Sequence, residues 1–80
     1  MLNRKDFYAI EVEIDEYHTT KEEYFETYEE AIKNRIKYAN WCRPQGDVWI
    51  VKMCGKTLRT LEEWHIDANG RTISHYCWKK

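Results

Sequence analysis

Eighty residues make one domain with a small core, too little material for an enclosed, multi-step active site. The chain is 42% hydrophobic and carries four tryptophans, six tyrosines and two phenylalanines, more aromatic surface than such a core encloses, so part of it lies outside and favours contact with partners. The net charge of −1 argues against a binder of long nucleic acid, yet residues 1–30 hold ten acids against three bases and residues 31–80 four against ten.

The first element is FYAIEVEID, residues 7–15. Tyr8, Ile10, Val12 and Ile14 form a strict period-two apolar face, the mark of a half-buried strand. Residues 16–26 read either as a polar loop or as a turn at His18-Thr19-Thr20 with 22–26 returning as a short second strand, and the strand is favoured. Thr27 followed by Glu30 reads as a capping box, in which both side chains serve free amides at a helix start. Tyr28, Ala31, Ile32, Arg35, Ile36 and Ala39 then recur at helical spacing, acids leading and bases following as the helix dipole favours. Asn40 ends the helix, and Pro44 and Gly46 mark a loop.

Residues 48–54, VWIVKMC, are β-branched and aromatic, and Gly55-Lys56 suits a hairpin turn. Residues 57–67 form the partner strand, Asn69-Gly70 is a second hairpin signal because both residue types tolerate positive φ, and 71–78 pair back. The expected fold is α+β: an antiparallel sheet of four to five strands with one α-helix packed on one face, in the order β(β)αβββ. The helix-facing layer is expected to hold Ile10, Val12, Ile14, Ala31, Ile32, Ile36, Ala39, Trp49 or Ile50, Val51, Leu58 or Leu61, and Ile73. The last strand is expected at an edge, able to pair with a second copy.

No apolar run approaches the ~20 residues that span a bilayer, and MLNRKDFYAI lacks the apolar region of a secretion signal. Cys42, Cys54 and Cys77 are odd in number, which disfavours a disulfide framework. The expected compartment is the reducing cytoplasm.

Four constellations bear on chemistry. Glu11, Glu13 and Asp15 share one face of the first strand, ~6.7 Å apart, and each neighbouring pair repels by only ~0.6 kcal/mol in water before screening. A solvated face matched by Lys52, Arg59 or Arg71 therefore suffices to explain them, and an acidic patch that docks on a basic surface is the functional alternative, with Glu16, Glu22, Glu23 and Glu26 extending it. Trp64, Tyr76 and Trp78 with Arg43, Arg59 and Arg71 form a second set, suited to stacking on a nucleotide and holding its phosphate, although the aromatic motif of RNA-recognition sheets is absent. His18, Cys42, Cys54, His65, His75 and Cys77 are potential metal ligands. They show no CxxC or zinc-finger spacing, although His75 and Cys77 share a strand face with His65 expected across the hairpin. No metal and no cofactor is expected. A Cys77–His75 nucleophile lacks an oxyanion loop or glycine elbow, so the chain is expected not to be an enzyme.

A small α+β domain rich in acids and aromatics and without a catalytic motif resembles the accessory proteins of phages and mobile elements, among them anti-CRISPR inhibitors of host defence. The resemblance lies in size and composition, so no residue roles are carried over. It implies a non-enzymatic inhibitor in the host cytoplasm that occupies the nucleic-acid-binding surface of a host protein. The expected gripping residues are Glu11, Glu13, Asp15, Tyr17, Glu22, Glu23, Tyr24, Glu26 and Trp41. The alternatives are a nucleotide sponge or sensor built on Arg43, Arg59, Trp64, Arg71, Tyr76 and Trp78, and a structural dimerisation domain. No membrane partner is expected.

Overall fold

The computed structural model describes residues 5–15, 18–39 and 47–78, without the side chains of residues 13–15, 22 and 39. It is an α+β fold, mostly sheet. Five antiparallel strands, β1 (Phe7–Asp15), β2 (His18–Phe25), β3 (Val48–Met53), β4 (Thr60–Ile66) and β5 (Thr72–Cys77), lie in the order β2-β1-β3-β4-β5. A short helix, α1 (Tyr28–Asn34), and a single further turn, α2 (Ile36–Ala39), connect β2 to β3.

Period-two alternation divides the sheet into two faces. On one, Ile10, Val12, Val48, Ile50 and Ile66 are buried under Ala31 of α1, with Tyr8, Phe25, Tyr28, Ile32, Tyr38 and Trp64 packed around them. On the other, Ala9, Val51 and Met53 form a smaller buried cluster beside Phe7. Val51 therefore belongs opposite the helix rather than beneath it, because Ile50 takes the helix-facing position and the pleat sends its neighbour the other way.

The helix starts as its capping signal indicates. The Thr27 hydroxyl accepts from the Glu30 amide at 3.1 Å, while the Glu30 carboxylate reaches past the cap to accept from the amide of Glu26 at 3.3 Å. It does not continue as one helix to Ala39. The amides of Arg35 and Tyr38 bond to the carbonyls of Ile32 and Arg35, three residues back, and this tighter winding rotates the following side chains. Ile36, expected in the core, is 63% exposed as a result, and Tyr38 packs inward instead.

The other departures lie at turns. His18–Thr20, expected as a turn, begins β2 and pairs with β1 across two register shifts. Residues 57–59 stay outside β4: the Leu58 amide bonds to the Cys54 carbonyl at 2.9 Å, and Leu58 takes φ 63°, exposed rather than in the helix-facing layer. In the β4–β5 turn Gly70 takes φ 87°, Asn69 does not, and Asp67 Oδ1 accepts from the amides of Asn69 and Arg71 at 2.9 Å each. Ile73 is exposed on the edge strand β5, beyond the reach of α1.

Candidate functional site

Three surface regions concentrate chemistry. The first is where β1 starts, β2 and β3 end and α1 begins. An open hollow of about 770 Å³ is lined there by Phe7, Tyr24, Phe25, Met53 and Leu58, with Glu26, Glu30 and Asn34 along the helix side. Neither lysine nor arginine is among its described lining residues. Phe7 and Tyr24 meet edge to face at 5.6 Å, a geometry that fixes both rings. Opposite them stands Leu58, 52% exposed. Its turn is anchored to the strand start by the Gly55 amide donating to Asp6 Oδ1 at 3.2 Å. A leucine in the left-handed region costs about 1–2 kcal/mol, and strain of this kind concentrates at functional positions.

The second region is the carboxylate face of β1. Glu11 is already partnered: Thr19 donates to it at 3.2 Å and Lys21 at 3.3 Å, both from β2, because the register shift after Ile10 brings Lys21 opposite Glu11. None of the expected partners serves it. Lys52 instead approaches Glu62 at 3.9 Å. Glu23 is likewise occupied, accepting from the Tyr38 hydroxyl at 2.6 Å and from Lys37 at 3.3 Å. The Tyr38 hydrogen bond, which outweighs the opposing effect of burial and is helped by Lys37, holds its carboxyl below the ordinary value. Glu63, on the face opposite α1, is shifted the other way, raised first by burial and then by the charge of Glu11. Tyr17 and Trp41, and the side chains of Glu13, Asp15 and Glu22, lie outside the described residues.

The third region is the β4–β5 end. Trp64 pairs with His75 and Glu62 with Cys77, so these four share the helix face towards the β5 edge, where Trp64 adjoins Tyr28 of α1. Trp64 and His75 stack at 4.7 Å and 9°. Glu62 Oε1 lies 2.9 Å and Cys77 Sγ 3.7 Å from His75 Nε2. His65, expected to join them, is on the other face, because neighbours along a strand alternate; there it stacks on Trp49 at 4.4 Å and meets Asp47 at 2.9 Å. Tyr76 and Trp78 are on that face too, edge to face at 4.5 Å. Arg59 precedes β4 and Arg71 follows it, so the two lie at opposite ends of the strand. The residues expected to hold a nucleotide are therefore spread over two faces and two ends, and Arg43 lies outside the described residues.

Of the expected gripping residues, Tyr24 and Glu26 reach the hollow. Phe7, Phe25, Met53, Leu58, Glu30 and Asn34 join them there without a sequence signal, since they come from four separate elements and the β3–β4 turn. No described helix is long and apolar enough to cross a membrane. No family model, no curated protein and no solved structure matches the chain.

Proposed function

We propose that this chain is a non-enzymatic binding protein that grips a partner protein at the hollow between Tyr24 and Leu58. The observation that carries this reading is an apolar hollow with acids but no bases along its described rim, completed by a leucine held in a costly conformation. The complementary surface is an apolar side chain flanked by lysine or arginine. Burial of the apolar anchor would slow release, and Glu26, Glu29 and Glu30 would speed encounter. A basic surface of this kind commonly holds an anion such as nucleic acid, so occupation of it would inhibit the partner, the role expected of a phage-type inhibitor of host defence.

Leu58→Gly and Tyr24→Ala test the reading. A partner retained from host lysate by the wild type should be lost by both variants, and its capture should weaken as salt is raised. Equal retention of the same partner by wild type and both variants overturns it.

Self-association through β5 is a second reading. All six residues of this edge strand are exposed, and Ile73, Tyr76 and Trp78 leave apolar area on both of its faces. Natural edges normally carry charge or cover against such pairing. Sedimentation velocity across a concentration series should then show a dimer that Tyr76→Lys dissociates. A monomer at all concentrations removes this reading.

A further inference from the structure

The geometry points to a zinc-type metal site formed by Glu62, His75 and Cys77 on the helix face towards the β5 edge. The three donor atoms lie within 4.8 Å of one another, converging on His75 Nε2, with Glu62 Oε1 at 2.9 Å and Cys77 Sγ at 3.7 Å. Tetrahedral zinc with bonds of ~2.0–2.3 Å sets its ligand atoms roughly 3.3–3.7 Å apart. The sulfur–nitrogen separation matches this, and the oxygen–nitrogen contact opens to it by a small side-chain rotation.

The surroundings hold the donors in place. The β4–β5 register sets Glu62 directly opposite Cys77, so both first atoms are fixed by ladder hydrogen bonds rather than by a loop. Trp64 lies flat on the His75 ring and is itself packed against Tyr28 at 4.7 Å, which sets the direction of Nε2. Lys52 lies 3.9 Å from the other Glu62 oxygen, Oε2, leaving Oε1 for the cluster, as outer partners of ligating carboxylates do. One imidazole, one thiolate and one carboxylate select a borderline metal such as zinc over magnesium or calcium, which take oxygen ligands. Two anionic ligands neutralise the ion, the thiol proton is released on binding, and a fourth position remains for water. The ion would crosslink the edge strand to β4. This inference is independent of the hollow, with which the three ligands share no lining residue.

Titration of the full chain with Zn²⁺ alone, and with Co²⁺ as a spectroscopic probe, tests it. One ion per chain should bind, with a thiolate-to-cobalt charge-transfer band and tetrahedral d–d absorption, and zinc should raise the melting temperature. Cys77→Ser should abolish the band, and His75→Gln and Glu62→Gln should weaken zinc by at least tenfold. The Cys42→Ser/Cys54→Ser double variant should keep the band, and Leu58→Gly should leave zinc binding unchanged. All three ligands are at the surface, so melting without metal checks that the variants fold, and either of His75→Gln and Glu62→Gln replaces a Cys77→Ser that does not. Absence of the band in wild type, its survival in Cys77→Ser, or its loss in Cys42→Ser/Cys54→Ser overturns the assignment.

Discussion

Arg35, at the end of α1, lays its guanidinium against Gly70 in the β4–β5 turn: a Cβ at Gly70 would lie 3.2 Å from Arg35 Cζ and closer still to Nη2. The helix end is thereby packed on a hairpin that it does not adjoin in sequence. Gly70 also takes φ 87°, where any other residue is strained. Gly70→Ala should cost about 1–2 kcal/mol, read as a lower urea midpoint at unchanged m-value. Most of that cost should persist in an Arg35→Ala background, because the backbone angle remains after the movable guanidinium is gone. Full recovery there would show that the contact, not φ, sets the penalty.

Ile10 and Ile50 are paired across β1 and β3, and both are fully buried beneath the helix. Ile50→Ala removes three carbons from a site walled by ladder and helix, so the cavity cannot collapse, and the expected cost is about 3–4 kcal/mol. A domain this small has only a few kcal/mol to lose, so thermal melting should show the variant largely unfolded at 37 °C. Ile73→Ala on the exposed edge should stay within ~0.5 kcal/mol of wild type. A large loss there would mean that β5 is covered in solution.

The elements were legible where a local rule decides them. Tyr8, Ile10 and Val12 alternate because one face of β1 is buried, and Thr27 with Glu30 caps α1 because free amides need acceptors. What was not legible depends on register and on distant packing. Lys21 meets Glu11 only because β2 slips by one residue after its pairing with Ile10, and a one-residue slip changes which side chains face each other. The same holds for the cluster at the far edge: the sequence placed His75 and Cys77 on one face, but the register set by the Gly70 turn brings Glu62, not His65, to them. Ile36 followed the helical period of its segment, and a local tightening at Arg35, invisible in that period, turned it outward.

Glu23 and Glu63 should give stability opposite dependences on pH. Tyr38 and Lys37 hold the folded Glu23 carboxyl below its ordinary value, so the folded state binds that proton less well than the unfolded chain. The resulting stabilisation is present above the unfolded pKa, about 4.3, and is lost as pH falls through the folded one. Tyr38→Phe should therefore lower the melting temperature at neutral pH, with a loss that shrinks in acid. Burial and Glu11 raise the folded Glu63 carboxyl, so its contribution is most favourable at low pH and is lost as pH rises from the unfolded value through the raised one. Glu63→Gln should raise the melting temperature at neutral pH and give no gain near about pH 3, where both states are protonated. Melting curves across that range check both signs, and a lower melting temperature for Glu63→Gln at neutral pH would refute the second.

Leu58 separates stability from binding. Its φ of 63° is strained for leucine and natural for glycine, while its exposed side chain makes little core contact. Leu58→Gly should therefore gain ~0.5–1 kcal/mol, the relief of strain exceeding the added freedom of the unfolded chain. Leu58→Ala keeps the strain and should gain nothing. Urea unfolding of the two variants distinguishes them. A side chain whose removal strengthens the fold is free to serve a contact outside it, and the same Leu58→Gly protein that melts later should fail to hold the partner. If it instead loses stability, Leu58 is a packing residue of its turn, and the hollow lacks the strained wall on which the binding reading rests.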